Sequence, residues 1–168
     1  MNIHTKIDGH LLDQVRADLA RPHAFAHERV GFLFAGVAAF GRDLLLMCRE
    51  YRPVADEDYI DDPRVGAMMG SDAIRKALQH SYQTKTAVLH IHTHEHQGRP
   101  NFSGVDSREN AKFVPNFFNV SPQRPHGAIV LSHDAMRGNL WLRRDAEPRP
   151  IGRFTVVGAP VWIDGEAA

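Results

Sequence analysis

The spacing of apolar residues predicts a strand, a helix and a buried hairpin in the first third of the chain. Ile3–Ile7 alternates apolar and polar positions, which favours a short edge strand, and the apolar residues of Leu11–Leu19 recur at helical spacing. Two apolar runs follow, Val30–Ala38 and Leu44–Tyr51, and the turn signal Gly41–Asp43 joins them. The pattern therefore predicts an amphipathic helix between an N-terminal strand and a hairpin of buried strands.

Strands and helices continue to alternate in the rest of the chain. Arg52–Gly70 has scattered prolines and glycines, with five acidic residues within Asp56–Asp62, which is typical of a long functional loop. Ser71 can cap a second helix, and Ser103 opens a third that Pro115 should end, because proline lacks the amide that a helix interior needs. The remaining apolar runs predict strands at Thr86–His94, Ala128–Ser132, Asn139–Arg143 and Phe154–Val157. With no repeat or linker, this alternation predicts one mixed α/β domain over residues 1–168.

Composition narrows the functions open to such a domain. The formal net charge is zero, so no basic surplus exists to bind nucleic acid or an anionic membrane. Val30–Phe40 is the longest apolar stretch and is shorter than the roughly 20 residues that a bilayer needs, and the N-terminus lacks a signal pattern. A cytoplasmic protein is therefore expected. The single cysteine, Cys48, excludes an internal disulfide and lies in an apolar run typical of an inert core.

Histidine is the unusual component, with 11 residues in the chain and four of them within His90–His96. Alternate residues of a strand face the same side, so His92 and His94 can direct two imidazoles at one point. Asp106, in the first turn of the predicted third helix, can supply a third ligand and leave a fourth position for water, as catalytic zinc requires. Glu28, just before a buried strand, is the candidate general acid/base for amide hydrolysis.

Each of these features also has an ordinary structural explanation. Ser103-x-x-Asp106 before a helix is a capping box, alternating histidines can line a solvated strand face, and Glu28 can be a surface carboxylate. Their occurrence together and in this order favours a metal site, because three independent explanations would otherwise have to coincide.

Three segments resemble the signature of the JAMM (JAB/MPN) metalloproteases, namely Glu28-Arg29-Val30-Gly31-Phe32-Leu33, His92-Thr93-His94 and Ser103-Gly104-Val105-Asp106. The resemblance implies a JAB/MPN-like single domain with a curved mixed sheet packed against helices. It also implies roles for five residues, with Zn2+ bound by His92, His94 and Asp106, acid/base catalysis by Glu28, and oxyanion stabilisation by Ser103.

The chain departs from the family pattern at two points. Glu95 occupies the position where most members have proline, and the gap from His94 to Ser103 is one residue longer than usual. The pair His94 and His96 would make that gap one residue shorter than usual, so both registers stay open. Thr93, a small hydroxyl residue of the kind that the family places between its histidines, favours the pair that begins at residue 92.

The resemblance implies a function as well as a fold. Stand-alone prokaryotic JAB proteins are deubiquitinase-like isopeptidases that act beside E1/E2-like conjugation enzymes, some of them in antiphage systems. The expected partner is a ubiquitin-like protein or its conjugate, and the acidic loop Asp56–Asp62 would border the groove for its extended tail. Two alternatives stay open, a JAMM peptidase acting on a sulfur-carrier protein in cofactor biosynthesis and a non-catalytic MPN-like scaffold.

Overall fold

The computed structural model describes residues 1–62 and 66–158, which form eight strands, three α-helices and a short 3-10 helix. The prediction of one domain also covers residues 63–65 and 159–168, which lie outside the described residues. In chain order the elements are β1 (Asn2–Asp8), α1 (Gly9–Leu19), β2 (Val30–Phe40), β3 (Asp43–Pro53), the 3-10 helix (Asp56–Asp58), α2 (Ser71–Thr84), β4 (Ala87–Thr93), α3 (Gly104–Phe117), β5 (His126–Leu131), β6 (Met136–Trp141), β7 (Arg149–Pro150) and β8 (Arg153–Val157). This interspersed order makes the protein a mixed α/β fold, as the sequence predicts.

The sheet is curled so strongly that its two edges meet. Its strand order is β7-β6-β5-β4-β2-β3-β1-β8, so β7 and β8 lie at opposite edges although only Ile151 and Gly152 separate them in the chain. The Ile151 amide donates to the Gly138 carbonyl of β6 at 2.8 Å, and the Gly152 amide donates to the Ile3 carbonyl of β1 at 2.9 Å. Two consecutive residues thus join both edges of the sheet.

The N-terminal strand is not the edge strand that its alternation predicts. β1 lies between β3 and β8 and runs parallel to both. Its polar and apolar alternation identifies a strand correctly, but the second partner comes from the other end of the chain, and no local pattern reveals it.

Each central strand divides its apolar residues between two cores, because successive side chains point to opposite faces. Leu33 of β2 and Leu89 of β4 share one core with Val15 of α1. Phe32 of β2 and Val88 of β4 belong to the other core, which α2 and α3 cover. Burial on both faces explains why these strands are nearly continuous apolar runs in the sequence.

The predicted hairpin is confirmed, whereas two helix boundaries are wrong. β2 and β3 pair antiparallel, and Gly41 in their turn has a φ of 56°, which favours glycine. Ser71 does not cap α2, because Gly70 is the N-cap and Ser71 is already the first helical residue. Pro115 does not end α3 but lies in its last turn, where its missing amide removes one hydrogen bond, and the helix continues to Phe117.

Two further expectations concern Cys48 and the membrane. Cys48 is partly buried and packs against the core, and burial raises the pKa of its thiol to about 12, which agrees with the structural role expected from the sequence. Among the described residues the longest α-helices have 14 residues, and none is long and apolar enough to span a bilayer.

Candidate metal centre

The register between β2 and β4 brings Glu28 to the two histidines. Val30, the first residue of β2, pairs with His92 of β4 in the antiparallel ladder. Glu28 lies two residues before this pair and His94 two residues after it, so both leave the ladder at the same end. One ligand atom each from Glu28, His92 and His94 lies within 4.8 Å of the other two.

Asp106 reaches the same point from the first turn of α3. The Ser103 hydroxyl accepts a hydrogen bond from the Asp106 amide at 3.0 Å, and the Ser103 amide donates to Asp106 Oδ2 at 2.6 Å. This capping box fixes the carboxylate, whose Oδ1 lies 3.5 Å from His92 Nε2 and whose Oδ2 lies 3.4 Å from His94 Nε2. One carboxylate therefore caps the helix and faces both histidines, so the two explanations of Ser103-x-x-Asp106 are compatible.

These distances suit a shared metal ion better than hydrogen bonds. Separations of 3.4 and 3.5 Å are long for a charge-assisted N–H···O bond, which usually measures about 2.7–2.9 Å. Zinc holds nitrogen and oxygen ligands tetrahedrally at about 2.0–2.2 Å, which separates any two ligand atoms by about 3.3–3.5 Å. Each imidazole therefore lies at ligand-to-ligand distance from one oxygen of Asp106, whereas the group whose ligand atoms all lie within 4.8 Å of one another consists of Glu28, His92 and His94.

The buried ring of His92 supports the same conclusion. His92 is 2% exposed, and among the described residues neither of its ring nitrogens has a hydrogen-bond partner. Buried polar atoms are normally satisfied, so the Nε2 atom directed at Asp106 calls for a partner that the protein itself does not supply. Coordination of a cation by Nε2 would meet that requirement.

The charge state of the neighbouring groups also suits a cation. Burial raises the pKa of Asp106, but His92 and the Ser103 amide lower it more strongly, so the pKa lies well below the usual carboxyl range. Burial, with a smaller effect of His92, lowers the pKa of His90 to about 3. The His90 ring packs edge-on against Phe113 with 4.9 Å between ring centroids. His90 is thus an uncharged ring that packs beside the site.

Gly66 holds the backbone that carries Glu28. Its carbonyl accepts hydrogen bonds from the amides of His27 at 2.8 Å and Glu28 at 3.1 Å. A Cβ at Gly66 would lie 3.0 Å from the carboxyl carbon of Glu28, so the absence of a side chain lets the loop pack against this carboxylate. Nothing in the sequence marks Gly66 as part of the site.

Arg29 anchors the same backbone from the other side. It is 3% exposed, and its guanidinium donates to the carbonyls of Arg21 and Pro22, each at 2.8 Å, and to Asp56 at 2.7 Å. The guanidinium therefore joins the end of α1 to the acidic loop. A charged residue at the start of an apolar strand is the one sequence signal that could have indicated this role.

Two acids of the loop Asp56–Asp62 are already paired within the protein. Asp56 accepts from Arg29, and Asp58, 9% exposed, accepts from the Lys76 ammonium of α2 at 2.6 Å. These pairs attach the loop to β2 and α2. That the loop also borders a groove for a basic tail stays a prediction.

The Tyr59 hydroxyl is hydrogen-bonded to the backbone of the first residue of β2, and removal of this hydroxyl should destabilise the fold. The hydroxyl accepts from the Val30 amide at 2.8 Å and donates to the Val30 carbonyl at 3.3 Å. Tyr59→Phe leaves a buried amide unsatisfied and should lower the free energy of unfolding by about 1–3 kcal/mol, as measured by urea denaturation. Tyr82→Phe is the control, because Tyr82 is 57% exposed and its loss should change stability by less than about 0.5 kcal/mol. Equal stability of both variants would contradict this role.

The remaining candidates lie at the rim of the cluster. Ser103 is exposed, and since its oxygen accepts the Asp106 amide, its O–H stays available as a donor. His96 is also exposed, and its Nδ1 lies 2.8 Å from the Gln97 carbonyl oxygen. The group within 4.8 Å contains His92 and His94, so the geometry favours the register that begins at residue 92.

Comparison with known proteins adds no argument about this site. No protein-family model matches the sequence, and no curated protein matches it. Among solved structures, the chain is similar to the STIL N-terminal domain of Trichoplax adhaerens, with 10% sequence identity and a TM-score of 0.37. The match covers 80% of this chain, which spans only 40% of that structure. The metal centre therefore rests on the geometry and chemistry of its own residues.

Proposed function

We propose that the chain is a zinc-dependent metalloprotease of the JAMM type, with a JAB/MPN-like fold, that hydrolyses the amide or isopeptide bond after a ubiquitin-like modifier. The observation that carries the proposal is the convergence of Glu28, His92, His94 and Asp106 from three separate parts of the chain. Two imidazoles and a carboxylate can hold zinc with one position free, and a further carboxylate stands beside them. A scaffold that binds no metal would not require these four side chains to lie close together.

The chain's own residues can carry the proton transfers of amide hydrolysis. A bound zinc ion would supply Lewis acidity and lower the pKa of water towards about 7. Glu28 accepts the proton of the attacking water and later gives it to the leaving amine, acting first as base and then as acid. The Ser103 hydroxyl donates a hydrogen bond to the carbonyl oxygen as negative charge develops there.

The substrate class rests on the motif resemblance, and two exposed apolar residues close to site residues in the chain support an extended peptide. Phe25, three residues before Glu28, is 39% exposed, and Val105, next to Asp106, is 45% exposed. Exposed hydrophobic residues at a site rim can contact an extended peptide. The same resemblance supports E1/E2-like conjugation enzymes as partners in a bacterial antiphage system.

The proposal predicts a zinc enzyme that a chelator inactivates. The purified protein should contain one zinc ion per chain and cleave a linear fusion of a ubiquitin-like modifier to a reporter protein. Chelation should stop cleavage and added zinc should restore it, because a bound zinc ion would supply the Lewis acidity that the reaction needs. His94→Ala should lose both zinc and activity, whereas His10→Ala, which removes an exposed histidine of α1, should retain both. Metal content is measured by mass spectrometry and cleavage by gel assay.

Two results would redirect the proposal. A chain that takes up no zinc even when supplied with it would support the non-catalytic scaffold. A zinc-loaded chain that cleaves only sulfur-carrier fusions would keep the chemistry and change the substrate.

A further inference from the structure

A cavity lies where the two edges of the sheet meet. It has a volume of about 240 Å³ and combines residues from the loop after β4, from β6 and from the Ile151–Gly152 junction. Its apolar wall contains Ile151 and Phe154, which approach closely because Gly138 has no side chain. A Cβ at Gly138 would lie 2.6 Å from Ile151 Cδ1 and 3.1 Å from the Phe154 ring.

Two arginines, Arg99 and Arg137, give this cavity its charge. Both are exposed, and among the described residues neither guanidinium lies within 4.0 Å of a carboxylate oxygen. The Arg137 guanidinium donates to the side-chain oxygen of Asn101, which holds it at the loop that leads to α3. Arg99 makes no such contact within the described part of the chain.

Two further arginines lie near the cavity in the chain. Arg149 and Arg153 flank the junction in the chain, are exposed, and form no ion pair with any described residue. No acidic residue is among the described residues that line the cavity. In a protein with zero net charge, the charged side chains that line this cavity are therefore the two arginines alone, among the described residues.

The size of the cavity limits the ligand. Cavities for drug-sized ligands usually measure about 300–1,000 Å³, and this one is smaller. A nucleotide is consequently too large, whereas a single phosphate or carboxylate group with a few carbon atoms has the right size. Guanidinium groups bind both oxyanions through paired N–H donors.

We propose that this cavity binds a small oxyanion, either a phosphate or a carboxylate group, between Arg99 and Arg137, with the apolar part of the ligand against Ile151 and Phe154. The residues that line this cavity are different from the residues of the candidate metal centre.

Calorimetric titration of the full chain with inorganic phosphate and with succinate at low ionic strength tests the site. At least one of the two anions should bind, and the stronger one identifies the ligand class. Arg99→Gln combined with Arg137→Gln should weaken binding by about tenfold or more for each charge-assisted hydrogen bond lost. Because Arg137 also contacts Asn101, Arg99→Gln alone is measured as a second variant and should show about a tenfold loss.

Arg42→Gln combined with Arg143→Gln is the matched control, because it removes the same charge from two exposed positions outside the cavity. This control should bind the anion as the wild type does. Absence of binding by both anions at millimolar concentration would overturn the proposal. Equal weakening in the control and the Arg99 variants would overturn it too, since binding would then follow net charge.

Discussion

Replacing Glu28 with glutamine should reduce cleavage of a modifier fusion by about 100- to 10,000-fold, the usual contribution of a general acid/base, while zinc stays bound. Glutamine keeps the size of the side chain and the backbone hydrogen bond to the Gly66 carbonyl, so the fold should be unchanged. It loses the negative charge and the ability to accept and return a proton. The measurement is kcat from initial rates at saturating fusion, together with zinc content.

Glu95→Gln is the appropriate control for this experiment. Glu95 is exposed and directly follows His94, so its replacement removes a negative charge close to the metal without touching the proposed base. Its rate should stay near that of the wild type. If Glu28→Gln loses zinc, Glu28 is a metal ligand, and if it cleaves as fast as the wild type, Glu28 has no role in proton transfer.

The second large effect is expected from Asp106→Asn, which should release zinc without unfolding α3. The asparagine oxygen can still accept from the Ser103 amide, so the cap remains, but a neutral amide is a much poorer zinc ligand. Loss of a residue that only hydrogen-bonds to a metal ligand typically lowers metal affinity by about 10- to 100-fold. Loss of the ligand itself should lower zinc affinity by more than that. At a zinc concentration about 100 times the wild-type Kd, the variant should lack about 2.7 kcal/mol of zinc-linked stability.

Asp72→Asn separates the loss of the ligand from the loss of a helix charge. Asp72 also lies in the first turn of a helix, and its carboxylate accepts from the Arg75 guanidinium at 3.1 Å on the exposed surface of α2. Its replacement should cost less than about 1 kcal/mol and leave zinc affinity unchanged. Chelator competition measures the affinity, and thermal unfolding with and without zinc measures the stability. Unchanged zinc binding in Asp106→Asn would remove Asp106 from the ligand set.

Local rules predict the parts of the site that lie on one element. The period of two in a strand predicts that His92 and His94 share a face, and the capping-box spacing predicts that Asp106 lies in a first helical turn. The hairpin of β2 and β3 also follows from its apolar runs and its glycine turn. These features depend on residues that are near each other in the chain.

Contacts between distant segments could not be predicted in the same way. Glu28 meets the histidines only because Val30 pairs with His92, 62 positions further along, and no local pattern sets that register. Gly66 belongs to a loop whose contact with Glu28 depends on tertiary packing. The helix boundary at Pro115 was wrong for a related reason, since packing of Val114 and Phe117 in the core retains a turn that proline disfavours.

The meeting of the sheet edges also has a consequence during synthesis on the ribosome. β1 leaves the exit tunnel well before β8, and one of its two flanks stays open until Arg153–Val157 has been translated, because β8 is the strand that covers it. Such distant pairing slows folding and leaves a strand edge exposed in the nascent chain. Chains that stall before residue 153 should therefore be targets of chaperones that hold incomplete proteins.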